Sequence, residues 1–202
     1  MFEIELKAHV HERQKVIDAL NAFAAFSEKV ERHDTYWHIP SAKAKKGYIS
    51  ARIRREKAKN KETVFLTYKR KELIESTDGK KTEVNDEKEC TLSNAKAIEA
   101  LFTDAGFLLT ATKDKIVDDW TCTTPSGKAT LELCTVPPLG DFLEIEILSP
   151  SNDEKTTEKA QKELYNLLEK SGICVTAVEN RYYTDMLREA EKSDYIKEGY
   201  NV

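Results

Sequence analysis

The sequence predicts an α+β protein in which eight antiparallel strands close into a β-barrel, with helices packed outside. Three observations carry this. Segments of strand length alternate apolar and charged residues with period two, the repeat of a pleated strand. The charged residues come in same-sign pairs two positions apart: Glu3 and Glu5, Arg52 and Arg54, Glu87 and Glu89, Lys113 and Lys115, Glu144 and Glu146. Turn signals and two patterns of helical period separate these segments, and two further helical patterns follow the last of them. About eight strands is the size at which a closed barrel is filled by side chains or holds one small ligand.

The first strand takes residues 2–10, where Phe2, Ile4 and Leu6 share one face and Glu3, Glu5 and Lys7 the other. An amphipathic helix follows over 11–26, with Val16, Ile17, Leu20, Phe23 and Ala24 near helical spacing. The second strand, 29–38, stops before Pro40. The run from Ser41 to Gly47 is a basic loop, either a lid over an anionic ligand or a plain solvated connection. Strands at 48–57 and 62–71 flank a turn. In the first, Ile49, Ala51 and Ile53 oppose Arg52 and Arg54; in the second, Leu66 and Tyr68 oppose Thr67 and Lys69. Thr77-Asp78-Gly79 is a further turn, and the fifth strand covers 81–91.

Ser93 is placed to cap a helix of 94–105 that Gly106 ends. Strands at 107–122 and 128–135 flank Pro125-Ser126-Gly127, and Glu132 sits between Leu131 and Leu133. In the last strand, 141–149, Leu143, Ile145 and Ile147 face away from Glu144 and Glu146. Ser151 or Asn152 caps a long helix of 153–171, stopped by Gly172. A final helix, 179–192, contains Arg181, Tyr182 and Tyr183. No internal boundary interrupts this order, so one domain spans 1–190, and 191–202 form a polar tail, disordered or helical.

The alternation leaves two arrangements open. The charged faces can turn outward over an ordinary apolar core. They can also turn inward, with the apolar faces packed on the helices. The inward arrangement is costly unless the charges are paired or meet a strongly charged ligand. It would let acidic strands from the two ends of the chain place Glu3, Glu5, Glu144 and Glu146 around one point.

With 202 residues, the chain can bury a sizeable core in one domain. A net charge of -4 disfavours non-specific nucleic-acid binding. No apolar run approaches the roughly 20 residues of a membrane span. Charges at Glu3, Glu5 and Lys7 leave no signal-peptide pattern, so the expected location is cytoplasmic, with neither nucleic acid nor membrane as partner. Cys90, Cys122, Cys134 and Cys174 form no Cys-x-x-Cys pair and read as buried reduced thiols rather than zinc ligands. His9 continues the face of Glu3, Glu5 and Lys7, where a plain polar strand residue is its simplest role.

Several of these segments also form an ordered set of motifs. They are Glu3-x-Glu5-x-Lys7, Asp34-Thr35-Tyr36, Arg52-x-Arg54, Leu66-Thr67-x-Lys69, Glu87-x-Glu89 and Leu139-Gly140-Asp141-Phe142-x-Glu144-x-Glu146. In this order, over about residues 1–190, the chain resembles the CYTH-domain proteins, the triphosphate tunnel metalloenzymes. That family includes class IV adenylyl cyclases, thiamine triphosphatases and inorganic triphosphatases.

The resemblance implies the inward arrangement, a barrel whose charged interior is a triphosphate tunnel. It implies a metal set of Glu3, Glu5, Glu132, Glu144 and Glu146, binding Mg²⁺ or Mn²⁺ as all-oxygen ligands suit hard cations. Arg52, Arg54, Lys69, Lys113 and Lys115 would grip the phosphates, with arginine able to make paired hydrogen bonds. Lys115 departs from the arginine common at its position in the family. Lys7 would contact the substrate beside Glu5 and Glu146 at the catalytic centre. Glu87 and Glu89 have two readings, metal ligands or partners that order the basic residues. The expected partner is a small-molecule triphosphate, with a homodimer left open. Attack by water would make the chain a triphosphatase, the first expectation. Attack by a ribose 3′-hydroxyl on the α-phosphorus would make it a class IV adenylyl cyclase. A non-catalytic polyphosphate- or nucleotide-binding module is the third reading.

Overall fold

The computed structural model describes residues 2–38, 48–75, 79, 81–151 and 153–197. Its strands are β1 (Phe2–Val10), β2 (Ala25–His38), β3 (Tyr48–Ala58), β4 (Lys61–Glu75), β5 (Lys81–Leu92), β6 (Leu108–Thr124), β7 (Gly127–Val136) and β8 (Gly140–Ser149). They close into a ring in the order β1-β5-β4-β3-β2-β6-β7-β8, and every neighbouring pair is antiparallel. The expected eight-stranded barrel is therefore the observed architecture. Most neighbours are joined by short connections, but β2 pairs with β6 and β1 with both β5 and β8. These three long-range pairings bring the two ends of the chain and its middle around one axis.

The period-two alternation sorts the residues. Ile4 and Leu6 of β1, Leu131 and Leu133 of β7, and Leu143, Ile145 and Ile147 of β8 are buried in one cluster on the outside of the ring. Helix α1 (Arg13–Phe23) adds Val16 and Leu20 to that cluster, and α3 (Glu154–Lys170) adds Ala160, Leu164 and Leu168. Each fully buried Leu or Ile contributes about 1.5–3 kcal/mol. A second outer cluster joins Trp37, Ile53 and Val64 to Phe102 of α2 (Lys96–Asp104), whose ring stacks on Phe107 with centroids 4.4 Å apart. With the apolar faces covered from outside, the charged faces are left to line the interior.

Several element ends differ from the sequence reading. Helix α1 stops at Phe23 because Ala24 is already extended, at φ -125° and ψ 155°, which starts β2 at Ala25. Helix α2 has Ala95 at its cap, with the Asn94 side chain accepting from the Lys96 backbone N–H at 3.1 Å, so Ser93 is not the cap. Helix α3 is capped by Asp153, whose Oδ1 accepts from the Thr156 backbone N–H at 3.0 Å. The last helix, α4, is Tyr183–Lys197, later at both ends than expected, and residues 175–177 form a single 3-10 turn before it. Ser41 to Gly47, Thr77, Asp78 and Asn152 lie outside the described residues. All four cysteines are free, but only Cys134 is buried; Cys90 and Cys174 are exposed. Among the described residues no helix is long and apolar enough to cross a membrane.

Candidate active site: a charged tunnel inside the ring

The acidic side is made by β1 and β8. Their register sets Glu5 opposite Glu146 and Lys7 opposite Glu144. One carboxylate oxygen from each of Glu3, Glu5 and Glu146 lies within 4.8 Å of the others. The donor set is all oxygen, which fits a hard divalent cation such as Mg²⁺ or Mn²⁺.

Glu132 and Glu144 are nearby but otherwise engaged. Lys115 Nζ lies 2.7 Å from Glu132 and is also bonded to Glu144. Arg32 closes the group, with Nη1 2.7 Å and 2.8 Å from the two oxygens of Glu132 and Nε 2.6 Å from Glu56. Burial favours the neutral form of Glu144, but Lys115 outweighs it and holds the carboxyl down at about 2. Glu132 is likewise held well below the carboxylate range against its burial, by Lys115 and Arg32. Both acids are therefore ionised and matched to cations. Of the five expected metal ligands, Glu3, Glu5 and Glu146 converge on one point, and Glu132 and Glu144 share Lys115.

The opposite wall is cationic and is organised by one buried acid. Asp34 of β2 is fully buried between β3 and β6. Arg54 donates to it through Nε at 2.7 Å and Nη2 at 3.0 Å, and Lys113 Nζ is 3.2 Å away. Burial raises the Asp34 pKa, but Arg54 and Lys113 more than reverse this and hold it well below the usual range. Arg52, one step along β3, reaches Glu87 at 3.2 Å, Glu89 at 3.5 Å and Thr67 Oγ1 at 3.1 Å. Thr67 Oγ1 in turn donates to Glu89 at 2.7 Å. Of the two readings of Glu87 and Glu89, this geometry is that of partners to Arg52. Arg52 Nε is buried and has no hydrogen-bond partner among the described residues. The Lys69 side chain lies outside the described residues; its backbone pairs with Glu87 across β4 and β5.

One end of the ring is crossed by the segment leading into α4. The Glu179 backbone N–H donates to the Lys7 carbonyl at 2.7 Å, and Ala8 bridges to Val178. Lys7 Nζ donates to the Arg181 carbonyl at 2.6 Å. His9 joins this latch rather than the metal trio, with Nε2 3.1 Å from Glu179. Tyr182, Tyr183 and Thr184 thereby line the same cavity as Glu3, Glu5, Arg52, Arg54, Lys113 and the paired Glu132, Glu144 and Lys115, enclosing about 230 Å³.

The sequence reading did not single out Arg32, Glu56 or Glu179, nor the organising role of Asp34. Arg32 and Asp34 belong to the series Arg32, Asp34, Tyr36, which alternates along β2 with outward Thr35 and Trp37. That is the period-two signal used for the other strands. Tyr183 offered no comparable signal, because it enters the tunnel from a helix start.

A closed antiparallel ring around a tunnel with an acidic trio on one wall and an ordered cationic group on the other defines the class of protein. The CYTH-domain family model matches residues 1–183, and the chain belongs to that family. Among solved structures, the PH1819 protein of Pyrococcus horikoshii OT3 superposes with a TM-score of 0.76 at 24% identity, over 93% of this chain and 99% of that one. A candidate adenylate cyclase of Vibrio parahaemolyticus gives 0.71 at 14% identity, over 93% and 98%. The Hippeastrum protein HpAC1, described as having a dominant triphosphatase activity, gives 0.62 at 17% identity, over 94% and 95%. At these identities the likeness is one of fold. Comparison with curated proteins gives no match.

Proposed function

We propose that this chain is a divalent-metal-dependent enzyme that binds a triphosphate in the tunnel and hydrolyses it. The observation that carries this is the placement of the Glu3, Glu5 and Glu146 trio in one cavity with Arg52, Arg54 and Lys113. The all-oxygen trio suits a hard cation, and the neighbouring guanidinium and ammonium groups suit phosphate oxygens; a metal-bound triphosphate offers both.

In this reading Glu3, Glu5 and Glu146 hold Mg²⁺ or Mn²⁺. The bound cation supplies positive charge to phosphate oxygens and lowers the pKa of water. Arg52 and Arg54 orient the phosphates. Asp34 keeps Arg54 and Lys113 in place before substrate arrives, so their ordering is complete in the empty site. Lys113 and Lys7 add donors along the chain of phosphates, a role the family resemblance extends to Lys69, and the charge they bring counters what develops in phosphoryl transfer. Lys115, committed to Glu132 and Glu144, holds those two acids beside the trio.

The reaction class is tested by products. The protein is incubated with ATP, inorganic triphosphate and thiamine triphosphate, each with Mg²⁺ or Mn²⁺. The expected result is release of orthophosphate with the matching diphosphate, abolished by chelator. Cyclic AMP with pyrophosphate from ATP would replace hydrolysis by cyclisation. Tight binding of all three without turnover would make the chain a binding module. HpAC1's dominant triphosphatase activity agrees with placing hydrolysis first.

A further inference from the structure

Tyr183 has a position that the charge pattern does not explain. It enters the tunnel from the first residue of α4. The ammonium of Lys7 lies over its ring, 4.5 Å from the centroid, and that of Lys113 lies over the same ring at 4.8 Å. These lysines come from β1 and β6, which are not neighbours in the ring. The ring is itself fixed by an edge contact with Phe142, with centroids 5.1 Å apart and planes at 90°, and it is buried with Val117, Cys134 and Met186. Its hydroxyl lies 3.6 Å from Cys134 Sγ. One aromatic side chain therefore touches a cation on the acidic wall and a cation on the basic wall.

We infer that Tyr183 is a positioning residue, whose ring holds Lys7 and Lys113 at the spacing from which both reach a bound triphosphate. This rests on the reading of the tunnel as a triphosphate site. Two like charges in a water-poor cavity repel each other, and each long side chain has rotamer freedom to escape. The negative face of one ring attracts both ammonium groups at once. The lysines are thus ordered before ligand binds, and less freedom is lost on binding. Asp34 and the ring of Tyr36, 5.6 Å from Lys113, restrain Lys113 as well. The Arg181 carbonyl does the same for Lys7. Tyr183 is a contact that the two lysines share.

The test compares Tyr183→Phe with Tyr183→Leu in the full chain. Both lose the hydroxyl and its contact with Cys134; only the second loses the aromatic face. Affinities are measured by calorimetry for tripolyphosphate at saturating Mg²⁺, and separately for Mn²⁺ alone. Tyr183→Leu should bind tripolyphosphate about tenfold more weakly than Tyr183→Phe, the order expected for losing two cation–π contacts of about 0.5–1 kcal/mol each. Their Mn²⁺ affinities should match. Equal tripolyphosphate affinities would overturn the inference, and so would a parallel fall in both affinities, which is the mark of a purely structural residue. If Tyr183→Leu fails to fold, lysine ε-methylene resonances of the wild type decide. Two of them, assigned through Lys7→Arg and Lys113→Arg, should be shifted upfield by the ring and move when tripolyphosphate is added; unshifted resonances would overturn the inference. A wild type that binds no tripolyphosphate would instead defeat the triphosphate reading itself, and this inference with it.

Discussion

Replacing Asp34 by Asn removes the one negative charge between Arg54 and Lys113. Both cations are themselves sheltered, with only 13% and 5% of their side chains exposed, so water cannot compensate. Breaking a buried ion pair by removing one partner costs about 3–5 kcal/mol, because the other charge stays buried. Asn keeps the shape and one acceptor, which favours the lower end, about 3 kcal/mol. For a chain of this size that lowers the melting temperature by roughly 6–12 °C. The pH dependence has a definite sign. The folded-state pKa of Asp34 is depressed, by Arg54 and Lys113 acting against burial. Its contribution is therefore fully present above the unfolded pKa of about 3.9 and is lost as pH falls through the folded value. The wild type should exceed Asp34→Asn by the full amount at pH 7, and the gap should narrow only below about pH 4. Urea unfolding followed by circular dichroism at several pH values measures this. A gap under about 1 kcal/mol at pH 7, or one that widens in acid, would refute the idea that Asp34 organises the cationic wall.

Glu5→Gln and Glu146→Gln each keep the shape of the acidic trio while removing a charge. Metal-dependent turnover should fall at least about 100-fold in either, since carboxylate oxygens are the natural ligands of a hard cation, with an unchanged circular dichroism spectrum. Retained activity in excess chelator would refute the metal assignment. Asp119, half-buried opposite Glu132 across β6 and β7, is pushed up to about 6, first by burial and then by Glu132. A raised acid favours folding only while protonated, so it costs stability as pH rises from about 4 to 6. Asp119→Asn should gain about 1 kcal/mol at pH 8, after discounting for solvent screening, and nothing at pH 4; thermal melts at the two pH values decide.

The fold was legible because alternation at period two is a local property. Ile4 and Leu6 against Glu3, Glu5 and Lys7 already separate the two faces of β1, and the same holds for β3 and β8. What local pattern could not give was the choice of inward face, which depends on α1 and α3 covering the apolar side. The partners of each charge were equally hidden. Asp34 meets Arg54 and Lys113 only because β2 is paired on both sides, to β3 nearby and to β6 some eighty residues away. Spacing alone shows Arg52 and Arg54 as like charges side by side, whereas Arg54 has a bidentate partner in Asp34. The bonds that tie Glu132 and Glu144 to Lys115 and Arg32 could not be read from spacing. Helix ends shifted for local reasons, as at Ala24, where an apolar residue that fits a helix pattern begins the next strand.

The central claim is that the acidic trio and the cationic wall form one site for a metal-bound triphosphate. The melting temperature in the presence of ligand tests it most directly, because only a ligand that binds the folded state raises it. Tripolyphosphate with Mg²⁺, at about 100 times its Kd, should stabilise the protein by about 2.7 kcal/mol, or roughly 5–11 °C for a chain of this length. Mg²⁺ alone and orthophosphate with Mg²⁺ should each give far smaller shifts, and Glu5→Gln should lose most of the tripolyphosphate effect. Equal shifts for orthophosphate and tripolyphosphate, or a full tripolyphosphate shift in Glu5→Gln, would contradict a composite site.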